Sequence, residues 1–201
     1  MSNALLKYLS VYDYLHGERH SDIKHEYSYG QVLAMAGASL KHNLINGNLY
    51  GLLWNQLRNT TCFPMAGDML VKTSDEKYRY PDLFVACDDD SSDDDYVREQ
   101  PILVVEVLST STRRRDKTEK REEYIALPSL QEYVLIEQDF AEVQIQRCTN
   151  HWQAEYFYLG DEIHFQSINT TVSIADIYQR VNNDDVKRYL EELAKNSHES
   201  E

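Results

Sequence analysis

Two acidic residues stand where the sequence otherwise reads as core. In Tyr80-Pro81-Asp82-Leu83-Phe84-Val85 an aspartate opens a β-branched and aromatic run, and in Ile102-Leu103-Val104-Val105-Glu106-Val107-Leu108 a glutamate sits inside an apolar one. An ionised carboxylate in a core is costly unless it is paired or bound to a cation, so Glu106 needs a partner. If the two strands are neighbours, Asp82 and Glu106 converge. Paired carboxylates, a backbone carbonyl and waters make a hard-oxygen site suited to Mg2+ or Mn2+.

A further group comes from the stretch that follows. Asp116, Lys120, Tyr124 and Leu127 are spaced i, i+4, i+8 and i+11, one stripe of a helix. A stripe ending in Tyr and Leu faces inward and draws Lys120 toward the carboxylates; the alternative is an ordinary surface pair between Asp116 and Lys120. Arg113, Arg114 and Arg115 stand at the N-terminal end of the same helix, where backbone N–H groups attract anions, and offer a phosphate its one basic edge. Three consecutive arginines cannot all point at one ligand. Glu26 falls in the first arm of a hairpin, where an exposed role is the default, and His42 falls on the apolar face of a helix, where a hydrogen-bonded core residue is the default.

The elements that must position these groups can be read from periodicity. Residues 5–15 predict a short helix ended near Gly17, and "KHEYSYGQVLAMAG", residues 24–37, predicts a β-hairpin about Ser28-Tyr29-Gly30. Ser39 is placed to cap a long helix to about Arg58. Strands are expected over residues 63–72, 80–86 and 102–108, and a helix over 112–126. Further strands are expected over residues 132–137, 142–147, 155–158 and 162–165, the last two as a pair, with helices over 174–181 and 184–194. Neither a repeat nor a Pro/Gly-rich linker interrupts this order, which implies one α/β domain with a mixed sheet.

Composition narrows the class. The chain has 201 residues and a formal net charge of −14, which argues against a protein that coats nucleic acid non-specifically but leaves room for an enzyme with a local basic edge. Six aspartates crowd residues 87–95, without the central Gly and terminal Glu of an EF-hand loop, and read as a solvated loop. Cys62, Cys87 and Cys148 are far apart and lack zinc-site spacing, so the expectation is three small buried residues with neither disulfide nor zinc. No apolar run approaches the ~20 residues of a membrane span. The N-terminus lacks a basic flank before a long apolar core, so a cytoplasmic location is expected.

Four blocks, "HEYSYGQVLAMAGASLKHNLI", "YPDLFVACD", "LVVEVLSTSTRRRDKTEK" and "YIALPSLQEYVLIEQD", resemble in order and spacing the Uma2 family, over about residues 12–178. That family is common in cyanobacteria, is described as restriction endonucleases, and belongs to the PD-(D/E)xK nuclease-like superfamily. The resemblance implies a restriction-endonuclease-like fold, a central mixed sheet flanked by helices. It implies Asp82 and Glu106 as metal ligands with the Val107 carbonyl as a third, and metal-assisted hydrolysis of DNA. The superfamily lysine normally stands two residues after the acidic one, where this chain has Leu108; similar families move it to the next helix, and Lys120 matches. Glu26 matches an acidic residue that N-terminal elements of this fold add to the site. Arg113 or Arg115 would grip a neighbouring phosphate, with His42 and Asp116 in support. A catalytically idle interaction module, a nuclease acting on RNA or structured strands, and a homodimer all remain open at this point.

Overall fold

A computed structural model describes residues 8–198. Helix α1 (Val11–Glu18) begins where the Ser10 side chain accepts the Asp13 N–H, which leaves residues 8–10 of the expected helix outside it, and residues 5–7 lie outside the described residues. The hairpin forms as expected: β1 (His25–Ser28) and β2 (Gln31–Ala34) pair across Tyr29 and Gly30, both with positive φ. Ser39 accepts the His42 N–H and caps α2 (Leu40–Gln56), which buries Ile45, Leu49 and Leu53.

Next come β3 (Cys62–Ala66), β4 (Leu70–Ser74), β5 (Lys77–Arg79), β6 (Leu83–Cys87), β7 (Val97–Arg98) and β8 (Leu103–Leu108). A helical segment follows in three pieces: α3 (Arg113–Arg115), a π-helical turn (Asp116–Lys120) and α4 (Arg121–Ile125). Strands β9 (Glu132–Glu137), β10 (Val143–Arg147), β11 (Ala154–Phe157), β12 (Glu162–Phe165) and β13 (Thr170–Ser173) lead to α5 (Ile174–Ile177) and α6 (Asp184–His198).

The strands form a six-stranded sheet in the order β11-β10-β9-β8-β6-β3, a five-stranded sheet β2-β1-β5-β4-β7, and the pair β12-β13. In the larger sheet only β8 and β9 are parallel, which makes it mixed, as expected. Both are buried along their whole length, and β8 is the apolar run that holds Glu106. Leu103, Val105 and Val107 face α2 and the C-terminal helices; Val104 and Leu108 pack with Tyr124 and Tyr133 on the other side, and alternation puts Glu106 there too. A smaller core of Tyr14, Tyr27, Tyr78 and Tyr80 lies under α1.

Three expectations are corrected. The strand over residues 63–72 is two strands in different sheets, because Gly67 turns the chain with positive φ between them. Strand β11 pairs with β10, and β12 with β13, rather than with each other. The cysteines are not three buried thiols. Cys62 and Cys87 face each other across β3 and β6 and form a disulfide, while Cys148 is free and exposed. Cross-strand pairing decides this, and sequence separation carries no trace of it.

Candidate active site

Strands β6 and β8 run antiparallel with Leu83 opposite Val105, so one step further along the ladder sets Asp82 level with Glu106. The backbone N–H of Val107 donates to Asp82 Oδ2 at 2.7 Å, locking the aspartate at the mouth of β6. His42, in the first turn of α2, lies 3.1 Å from the same oxygen through Nε2, and Asn46 donates to the Asp82 carbonyl at 3.0 Å. His42 is therefore the hydrogen-bonded helix residue expected by default, and its partner is a site residue. Burial alone would lower its pKa; the hydrogen bond and charge of Asp82, then Asp116 and the Val107 backbone, outweigh that and raise it.

Glu106 finds its partners on the helical segment. Lys120 Nζ donates to Glu106 Oε1 at 2.9 Å, and Tyr124 Oη donates to the same oxygen at 3.1 Å. Lys120 also lies 3.0 Å from Glu26 Oε1 and 3.6 Å from Asp116 Oδ1, so one ammonium serves three carboxylates, all of them buried. The inward reading of the Asp116–Lys120–Tyr124 stripe holds. In a regular α-helix a residue four places on is rotated about 40° past the first. The wider π-helical turn over Asp116–Lys120 takes up that rotation, and π turns of this kind recur at functional sites.

Electrostatics follow from this crowding. Burial pushes Glu106 well above the usual carboxylate range; Lys120 opposes this, while Asp116, Asp82 and Glu26 reinforce it. Asp116 is raised in the same way, by burial first, with Lys120 opposing. Burial would lower Lys120, but the four surrounding carboxylates raise its pKa, so the ammonium keeps its proton.

Glu26 comes from the other sheet. Its Oε2 meets Arg115 at 2.8 Å and Arg79 at 3.5 Å, which makes Glu26 a buried ion-pair partner rather than an exposed hairpin residue. Arg79 escaped the sequence reading. It is fully buried, forks onto Glu123 with Nε and Nη2 at 2.7 Å each, and reaches Glu119 at 2.8 Å. In sequence, Lys77-Tyr78-Arg79 carries no signal that its arginine is buried. Arg113 and Lys117 pair with Glu137 at 2.6 and 3.0 Å, and Lys41 approaches Asp139 at 3.8 Å. Of the three arginines expected to offer a phosphate an edge, Arg113 and Arg115 thus each face a carboxylate, while Arg114 is exposed.

The donor set fits a small hard cation. Among the described residues no three His, Cys, Asp or Glu side chains are gathered for chelation. The arrangement that fits is the sparser one of two carboxylates, a backbone carbonyl and waters, which is how Mg2+ is commonly held. Asp116 Oδ1 is buried without a hydrogen-bond partner, 3.6 Å from the Lys120 ammonium, and Glu106 has its Oε1 occupied by Lys120 and Tyr124.

The family model for Uma2, described as "Putative restriction endonuclease", matches residues 11–174. The chain belongs to the Uma2 family. Two relatives from Synechocystis sp. (strain ATCC 27184 / PCC 6803 / Kazusa) carry the descriptions "Uncharacterized protein slr1290" and "Uncharacterized protein sll1609". The first is 31% identical over 174 residues, 85% of this chain and 92% of its own length; the second is 35% identical over 138 residues, 67% and 78%. A crystal structure titled a putative nuclease belonging to DUF820, from Anabaena variabilis ATCC 29413, superposes with a TM-score of 0.67 at 16% identity, covering 81% of this chain and 93% of that one. The likeness shows that this Uma2 chain shares the fold of that structure, with the mixed sheet and flanking helices expected from its sequence.

Proposed function

We propose that this Uma2 protein is a Mg2+-dependent endonuclease, able to use Mn2+, that hydrolyses phosphodiester bonds of DNA. The observation that carries the reading is the buried meeting of Glu106, Glu26 and Lys120, brought from two sheets and one helix, with half-buried Asp82 held beside it by the Val107 N–H. Asp82, Glu106 and the Val107 carbonyl are the residues that would hold the ion. Such an ion supplies Lewis acidity toward a phosphoryl oxygen and a lowered pKa for a bound water. His42 and the Val107 N–H fix the Asp82 carboxylate, and Tyr124 fixes that of Glu106. Because Lys120 keeps its proton, its part is electrostatic: it orients the attacking water and offsets charge that builds on phosphorus. Glu26 holds Lys120 in place. Arg115 supports Glu26, and Arg113 reaches a phosphate by exchanging its Glu137 contact.

The test is calorimetric titration of Mg2+ and Mn2+ into the wild-type protein and into Asp82→Asn and Glu106→Ala, followed by a cleavage screen on DNA and RNA substrates. Saturable binding lost in both variants, and metal-dependent DNA cleavage lost in them and in Lys120→Ala, is the expected result. Cleavage retained in all three variants refutes the assignment. A second reading, a catalytically idle accessory module, draws support from the rim cations being spent on carboxylates in a chain of net charge −14. Metal binding without cleavage of any substrate, and preference for RNA or structured strands, are the outcomes that would favour the alternatives.

A further inference from the structure

Open sheet edges are sites where another strand can add, and proteins blunt them with charge, proline, short length or a covering side chain. Among the described residues nearly every edge here is treated in one of these ways. In the six-stranded sheet, β3 carries Pro64 and β11 carries Glu155. In the five-stranded sheet, β7 is two residues long and ends in Arg98. The β12-β13 pair is capped on both sides: Arg147 donates to the His164 carbonyl, and Gln56 to the Thr171 carbonyl. Strand β2 is the exception. Gln31-Val32-Leu33-Ala34 has no charge and no proline, is covered by no side chain of the described residues, and is exposed on both faces, with Val32 at 48% and Leu33 at 54%.

Its free hydrogen-bonding groups can be assigned. The Met35 N–H donates to the Lys24 carbonyl, so the alternation along the hairpin makes Glu26–Leu33 and Ser28–Gln31 the hydrogen-bonded pairs. The N–H and C=O of Val32 and Ala34 therefore point away from β1, at the open edge.

We propose that β2 pairs antiparallel with β2 of a second copy of this chain, about a two-fold axis at Leu33, joining two five-stranded sheets into one. With Val32 opposite Ala34 of the other copy, all four outward groups of each strand are satisfied, and the two Leu33 side chains meet at the axis. Isologous pairing of this kind is the commonest way soluble chains dimerise. Charge selects the occupant. Residues 29–40 contain no charged residue in a chain of net charge −14, so two copies can approach here without the repulsion they meet elsewhere. The proposal does not depend on the nuclease reading. It does place Glu26, opposite Leu33 in the hairpin register, on the same face of the joined sheet in both copies.

The experiment is sedimentation and light scattering of the full chain without nucleic acid. Wild type is expected at twice the 23.5 kDa chain mass. Val32→Lys, which puts a like charge on either side of the axis, and Ala34→Pro, which removes an outward N–H, are expected at the single-chain mass with unchanged circular dichroism. Tyr156→Lys, on the exposed edge strand of the other sheet, is expected to remain dimeric. Amide exchange at Val32 and Ala34 in wild type should be slow in the dimer and speed up on dilution. A monomeric wild type, a dimer that survives both β2 substitutions, or fast exchange at both amides in a dimer overturns the proposal.

Discussion

Replacing Lys120 by methionine removes the ammonium around which the site is built. The side chain is almost fully buried, and Nζ lies 2.9 Å from Glu106 and 3.0 Å from Glu26. At an effective dielectric of about 20, each contact is worth about 5–6 kcal/mol of attraction, most of it offset by desolvation. What remains after loss of one partner of a buried pair is a destabilisation of about 3–5 kcal/mol, because the carboxylates stay behind unpaired. For a chain of this size that lowers the melting temperature by roughly 6–20 °C. The deficit has a pH signature. Glu106 and Asp116 already have raised pKa values, and losing Lys120 raises them further, so the stability that they contribute is full below their ordinary values of 4.5 and 3.8 and is lost as pH rises through the folded-state values. Lys120→Met should therefore be least harmful in acid. Adding Glu106→Gln should recover part of the loss, since the amide leaves no unpaired charge on β8 while still accepting from Tyr124. Urea unfolding across pH measures all of this. A Lys120→Met protein within about 1 kcal/mol of wild type, as for an exposed ion pair, would refute the buried-cluster reasoning, as would a double variant less stable than the single one.

Two more expectations are independent of that cluster. Burial would raise Glu123, but its bonds to Arg79 and Lys77 hold it below the usual carboxylate value, so it contributes stability above pH 4.5 that fades as pH falls through the folded value. The gap between wild type and Glu123→Gln in chemical denaturation should be widest near neutrality and close in acid; a constant gap contradicts the pairing. The Cys62–Cys87 bridge closes a separation of 25 residues, worth about 3 kcal/mol in the chain-entropy view. Oxidised protein should then show one titratable thiol, Cys148, and lose stability of that order with reductant or in Cys62→Ala/Cys87→Ala; three titratable thiols would exclude the bridge.

What could be read from sequence was whatever depends on local periodicity. Glu106 betrayed itself by standing in an apolar strand, and Lys120 by sharing a stripe with Tyr124, because both signals lie within one element. The hairpin turn and the Ser39 cap were legible for the same reason. Misreadings arose where long-range pairing decides. Gly67 divides one apparent strand between two sheets, β12 finds β13 rather than β11, and Cys62 meets Cys87 only because β3 lies beside β6. Arg79 and Glu123 look like surface residues in sequence, and each is buried because the other is there. Arg113 and Arg115 were expected to meet a phosphate and instead face Glu137 and Glu26, carboxylates supplied by distant strands.

The order in which the chain supplies the site has a consequence for its synthesis. Glu26 emerges with the first hairpin, Asp82 and Glu106 with β6 and β8, and Lys120 only with the helical segment, while β8 completes its pairing when β9 arrives. Domains fold largely as units as they leave the ribosome, and parallel pairing between distant segments is slow to form. A chain truncated before residue 120 holds acidic groups without their lysine, so the constellation is assembled late.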